Sequence, residues 1–373
     1  MPAPCRRAWG TLGGMATNAL FQAFDRQVAW CAVPAPFTAK VLARSRLWLE
    51  RDAAAAAVFD ALAADPLAAA VPLRWAAALH HLALQGIDPW RSLWPPKGDI
   101  LDVSAGQLDA AIQRAWAQHQ PLVQAALAGP PQTNEVQRSA ALLPGLLHVA
   151  AATGLPLVLL EIGASAGLNL WCDRYRHAHA AWQWGDSDSP LTLSCDWRGP
   201  VPAAARAPLR IARRAGCDAQ PIDLSQPDQG LRLASFVWPD QAERLARLHT
   251  ARTTAAQWMT QEQVTVEALP AADFVHREVS ACAAGHVTVL MHSVVWQYIA
   301  GEEQARIAQT MATAGLAATA NRPLAWLRLE PPASGAGDFE LRCRMWPGGE
   351  DRLLARAHPH VAHLHWLADG PSA

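Results

Sequence analysis

The run LLEIGASAGLNLW (residues 159–171) satisfies two chemical patterns at once. Gly163, Ser165 and Gly167 fit G-x-S-x-G, the elbow that presents a nucleophilic serine. The same residues, with Glu161, fit E-x-G-x-x-x-G, a strand-loop-helix turn that brings a carboxylate and a closely approaching backbone to a nucleoside cofactor. A dinucleotide loop of the G-x-G-x-x-G type needs glycine at 163, 165 and 168 and meets Gly163, Ser165 and Leu168.

The surrounding elements decide between a nucleophile and a cofactor loop. PLVLLEIG is a short, nearly continuous apolar run, as in a parallel strand covered on both faces. Glu161 near its tip needs hydrogen-bond donors, and ribose hydroxyls are suitable ones. Gly163 lets the backbone turn beside a ligand, and Gly167 lets the next helix pack closely. Everything before residue 155 reads as helical, so no earlier strand-to-helix loop supplies an oxyanion hole. The reading adopted is an S-adenosylmethionine loop. Glu161 holds the ribose, the 163–167 backbone the methionine part, and Ser165 lines the turn.

Further residues fall at later strand tips. PLRIARRAGCD ends at Asp218, suited to ribose hydroxyls, although 51 residues past Gly167 where about 20 is usual. Glu267 in VTVEAL ends a third strand, where an adenine-contacting group sits. His292 and Ser293 end the fourth, HVTVLMHS, and Tyr298 begins the helix after it. A histidine at that tip, with an ordinary pKa near 6.5, suits a general base for methyl transfer. Asn134 and Glu135 open the helix before the first strand, where they orient an acceptor or cap the helix. Simpler roles stand beside these: a turn cap for Asp218, a solvated strand end for Glu267, a hydrogen-bonded structural group for His292.

Other features exclude chemistry. His358, His360, His363 and His365 have no cysteine or carboxylate at ligand spacing, and Pro359 disturbs any strand, so no metal is expected. His80 and His81 are helical neighbours pointing about 100° apart. The seven cysteines lack paired spacing, which suits reduced thiols and a cytoplasmic setting. A net charge of −1 argues for a small-molecule acceptor and against a nucleic-acid partner. No apolar run is long enough for a membrane span. Seventeen tryptophans against two tyrosines are read chiefly as core. Oligomeric state is not legible.

Helical spacing in NALFQAFDRQVAWCA, SRLWLERDAAAAAVFDALAAD, VPLRWAAALHHLALQG and AGQLDAAIQRAWAQHQPLVQAALAG predicts an all-α cap over 16–128. Residues 1–15 are expected to be disordered or mis-annotated, with Met15 an alternative start. Strand-helix alternation over 129–373, with a hairpin insertion near 181–198 and a closing hairpin turning at Pro347-Gly348-Gly349, predicts an α/β, Rossmann-like, doubly wound sheet.

QTNEVQRSAALLPGL, LLEIGASAGLNLWCDRYRH, WPDQAERLARL, HSVVWQY and LARAHPH, in that order, resemble the uncharacterised bacterial family catalogued as domain of unknown function 2332. The resemblance runs from about residue 40 to 367 and implies a second half like a class I methyltransferase. It marks Gln132, Thr133, Asn134, Glu135, Glu161, Gly163, Ser165, Gly167, Asn169, His292 and Ser293 as family-typical. It names no reaction. The readings carried forward are a methyltransferase acting on a small molecule, a non-catalytic nucleotide- or partner-binding module, and a serine hydrolase using Ser165.

Overall fold

The computed structural model describes residues 18–94, 102–335 and 337–368; the expected N-terminal extension lies outside them. The chain divides into two compact units. One runs to Pro131 and takes back Ser235–Ala242; the other comprises Gln132–Ala234 and Glu243–Ala373.

The first unit is helical: α1 (Asn18–Cys31), α2 (Pro36–Arg51), α3 (Ala53–Asp60), α4 (Val71–Leu84), α5 (Trp90–Leu93), α6 (Ala105–Gln118) and α7 (Gln120–Ala128). Two runs read as continuous helices are each broken. Asp52 leaves the helix and its carboxylate accepts from the Ala55 amide, so α3 starts afresh. His119, two residues before Pro121, separates α6 from α7. Trp48 stacks on Trp75 at 5.6 Å, with Phe59 and Trp116 against them in the core. The returning segment belongs here for a physical reason. Asp240 accepts from the Phe37 and Thr38 amides (2.7 and 3.1 Å) and from the Thr38 hydroxyl (2.7 Å). It thereby caps α2, whose own N-cap, Ala35, has no capping side chain.

The second unit opens with α8 (Ser139–Thr153) and β1 (Leu157–Ile162). Then come β2 (Arg176–Ala178), β3 (Gln183–Trp184), β4 (Thr192–Leu193), β5 (Asp196–Arg198) and β6 (Ile211–Asp218). After these follow α9 (Pro227–Ser235), α10 (Ala242–Glu262), β7 (Val266–Ala268), α11 (Ala271–Ser280), β8 (Val287–Ser293) and α12 (Gly301–Leu316). The chain closes with β9 (Leu324–Glu330), β10 (Phe339–Trp346), β11 (Asp351–Ala357) and β12 (His363–Trp366).

This unit is mixed α/β around a nine-stranded, mostly parallel sheet, ordered β5-β12-β11-β10-β9-β8-β1-β6-β7. Its five strands from β7 to β9 are all parallel. Counted along the chain they run third, second, first, fourth, fifth, so the order reverses between β1 and β8. Leu160 and Ile162 point into one core with Phe274, Leu290 and Ile307. Alternation then sends Leu159 and Glu161 to the opposite face.

Three departures from the sequence reading have local causes. The turn after β1 leads into a 3-10 segment, Leu168–Arg174, kinked at Trp171, rather than a full helix. The expected hairpin over 181–198 is replaced by a three-stranded sheet, β3-β2-β4, while β5 joins the far edge of the large sheet beside β12. Gly185 (φ +91°) lies against the Tyr175 carbonyl, holding β3 on β2. The closing hairpin is a meander of β10, β11 and β12; His358 and His360 lie in the turn before β12 and only His363 and His365 are on a strand.

Candidate functional site

The residues singled out in the sequence converge only in part. The C-terminal tips of β1 and β8 lie at the reversal of strand order, the usual ligand position in an open α/β sheet. Gly163 and Gly167 both take positive φ (+64° and +72°). A Cβ at Gly163 would overlap the Val295 side chain, from the loop after β8, and one at Gly167 would overlap Met259 and Val266.

Glu161 is 2 % exposed, and its Oε2 is buried without a hydrogen-bond partner. Asn169 donates to its carboxyl, and the Ser139 hydroxyl donates to Asn169 Oδ1 (2.8 Å). Burial, and then the charge of Asp218, push the carboxyl well above the usual carboxylate range. A buried acid with one bonded and one orphaned oxygen at a strand tip is costly unless something completes it.

The loop amides are already committed. The Ala164 amide donates to the Cys217 carbonyl, Ser165 to Asp218 Oδ2 (2.9 Å), and Gly167 to the Ala164 carbonyl. Asn134, itself at φ +31°, accepts from both Ala166 and Leu168 (3.2 Å each). Asn134 therefore braces the glycine loop rather than capping α8, which begins at Ser139. The 163–167 backbone retains no cradle of free amides between Ala164 and Leu168 for an anionic group. Asp218 also accepts from the Gln220 amide (2.8 Å). Ser165 sits at φ +53°, strained as a nucleophile elbow would be, and its buried Oγ has no hydrogen-bond partner among the described residues.

Glu135 is engaged within the protein. It ion-pairs with Arg244, lies 4.0 Å from Arg247, and accepts from the Gln137 amide (3.1 Å), capping the 3-10 turn Val136–Arg138. Burial alone would raise its pKa, but Arg244, with His360, Arg247 and Arg138, holds it below the ordinary value. Gln132 donates to the Gln220 carbonyl (2.5 Å).

His292, 1 % exposed, faces the side opposite to Glu161. It stacks on Trp296 (ring centroids 5.2 Å apart, 16°) and meets Trp326. Its Nδ1 lies 2.6 Å from Glu330 Oε1, and its Nε2 is buried and unbonded. Glu330 ends β9 and also accepts from the Val295 and Trp296 amides (3.2 and 3.4 Å). Sequence reading missed Glu330; the signal was a carboxylate ending the strand beside His292, visible only once β8 and β9 are paired.

Other candidates lie elsewhere. Tyr298 is 46 % exposed and ends a 3-10 turn, since α12 starts only at Gly301. Ser293 is half-buried. Glu267 pairs with Cys217, so it faces away from Glu161, and it forms an exposed ion pair with Arg277 of α11 (2.9 and 2.5 Å). Among the described residues no group of histidines, cysteines and carboxylates is arranged to hold a metal ion, and no helix is long and apolar enough to cross a membrane.

Arg138 was not singled out in the sequence. It is 7 % exposed at the start of α8, its Nε donates to the Pro359 carbonyl (3.2 Å), and its terminal nitrogens meet no acceptor among the described residues.

No curated protein and no solved structure matches the chain. A family model does, over residues 21–366: an uncharacterized protein conserved in bacteria (DUF2332). A match over nearly the whole length, on the segments that carry Glu161, the glycine loop and His292, shows that the chain belongs to this family.

Proposed function

We propose that the chain binds S-adenosylmethionine at the tip of β1 and methylates a small-molecule acceptor. The observation that carries this reading is Glu161, a buried carboxyl with an unmet oxygen beside a glycine turn at the strand-order reversal. The five-strand parallel order around β1 supports a Rossmann-like sheet of the class I methyltransferase kind. The bound sulfonium would supply an electrophilic methyl group. Glu161 accepts from the ribose hydroxyls, and Asp218, whose oxygens keep spare lone pairs, assists from β6. The loop contributes shape rather than donors: Gly163 and Gly167 keep the backbone close, and Asn134 fixes its amides.

His292 is the group suited to move a proton. Glu330 accepts from Nδ1–H, which leaves the Nε2 lone pair as the base for an acceptor hydroxyl or ammonium. Trp296 covers that ring, so an acceptor reaches it when the 293–298 loop moves.

Titration calorimetry with S-adenosylmethionine and S-adenosylhomocysteine tests the reading. Saturable heat is expected for the wild type and none for a folded Gly163→Val, whose side chain would be forced to positive φ against Val295. No heat with either ligand in the wild type overturns it and leaves a partner-binding module as the better description.

A further inference from the structure

A nearly buried arginine, Arg138, whose terminal nitrogens find no protein acceptor among the described residues, lies near the same strand tips. Arg138 is in electrostatic reach of Glu161 at the tip of β1, of Glu330 at the tip of β9, and of Glu135 and Arg244. The segment that carries it is fixed across the glycine loop by Asn134, on Ala166 and Leu168, and by Ser139, on Asn169. One hydrogen bond, to the Pro359 carbonyl, aims the guanidinium.

Arg138, Arg244 and Arg247 lie near the carboxylate of Glu135, which Arg244 engages, while Arg138 is also in electrostatic reach of Glu330. Burial lowers the Arg138 pKa, and burial followed by the charge of Arg244 drives His360 down to about 3. A mostly buried guanidinium with two donors left over by the protein is shaped to meet a planar oxyanion. The glycine loop offers no alternative donor for such a group, since its amides from Ala164 to Leu168 are bonded or internal to the turn.

We infer that Arg138 is the oxyanion-recognition residue of this site, binding a carboxylate or phosphate carried by the small molecule that lies over β1 and β9. The inference deepens the cofactor reading of the same site. The oxyanion has two sources: the carboxylate of the cofactor's amino-acid part, or an anionic group on the acceptor.

The test begins with inorganic phosphate and acetate, following melting temperature at ionic strength matched with chloride. Wild type is expected to be stabilised saturably by either oxyanion. Arg138→Gln should lose the response, and Arg352→Gln, an exposed arginine paired with Glu350, should keep it. If Arg138→Gln does not fold, Arg138→Lys should need at least three-fold more phosphate for half effect, because an ammonium lacks the fork. A wild-type response no larger than that to chloride, or an undiminished response in the Arg138 variants, overturns the inference.

A second arm compares S-adenosylhomocysteine with 5′-methylthioadenosine, which lacks the amino-acid carboxylate. A wild-type preference for the former that vanishes in Arg138→Gln assigns the cofactor's carboxylate; equal effects of the variant on both ligands assign the acceptor's anion. Absence of nucleoside binding with an intact, Arg138-dependent phosphate response would sink the methyltransferase reading and leave the anion site standing.

Discussion

Glu330 Oε1 lies 2.6 Å from His292 Nδ1 and accepts from the Val295 and Trp296 amides, so one carboxylate at the end of β9 fixes both the imidazole of β8 and the loop that follows it. Val294, in that loop, takes φ +55°, a conformation a β-branched residue adopts only when its surroundings impose it.

That relationship fixes a tautomer. A carboxylate only accepts, so neutral His292 carries its proton on Nδ1. Nitrogen-15 NMR is expected to show the Nδ1–H form in the wild type and a mixture in Glu330→Gln, whose amide both donates and accepts. A dominant Nε2–H form in the wild type would contradict the arrangement. Truncation to Glu330→Ala should also cost about 1–3 kcal/mol, since it strands the buried Nδ1 and two loop amides.

The Glu135–Arg244 pair is structural. Removing one member of a buried pair costs about 3–5 kcal/mol, so Glu135→Gln should lower the melting temperature by several degrees. The Glu135 pKa is held below its ordinary 4.5, so its contribution is complete above that value and lost as pH falls through the folded-state pKa. Acid unfolding followed by circular dichroism should therefore be shallower in the variant below about pH 4.5. Unchanged stability together with weakened ligand binding would instead place Glu135 in the site.

Glu161 carries the opposite sign. Its folded-state pKa is raised, so the protein is favoured while the carboxyl is protonated and loses stability as pH rises from about 4.5 towards the folded-state value. The neutral isostere Glu161→Gln removes that loss. The melting-temperature difference, variant minus wild type, should grow between pH 5 and 8, reaching about 1 kcal/mol or more for each unit of pKa displacement crossed. A difference independent of pH would mean the carboxyl is not held neutral.

Ser165 has the backbone of an elbow without the partner of a nucleophile. With its Oγ unbonded and its amide tied to Asp218, a fluorophosphonate probe is expected to leave the protein unlabelled. Labelling that disappears in Ser165→Ala would restore the hydrolase reading.

What the sequence showed of this fold was periodicity. PLVLLEIG, HVTVLMHS and PLAWLRLEP are mainly apolar runs, and each is a strand of the central sheet, because burial on both faces selects such runs. The helix Ala271–Ser280 has Phe274, Val275 and Val279 at helical spacing but is only ten residues long, and it went unread between two strands. Pairing was harder. Nothing in DWR signals that β5 crosses to the far edge, and Glu267 reads as a site carboxylate until the register turns it towards Arg277. At the site, Glu161 and the glycines stand out by type and spacing. Glu330 and Arg138 do not, since their meaning lies in contacts made across 38 and 221 residues of chain.

The most direct measurement of the central claim is calorimetric titration of S-adenosylhomocysteine into wild type and Glu161→Gln at neutral pH, both first shown to be folded. If the unmet oxygen of Glu161 receives the ribose, wild type gives saturable heat, and the amide, whose NH2 group replaces that acceptor, weakens affinity about five-fold or more, the loss of one buried hydrogen bond of about 1–3 kcal/mol. No heat in the wild type, or equal affinity in the two proteins, would contradict the claim.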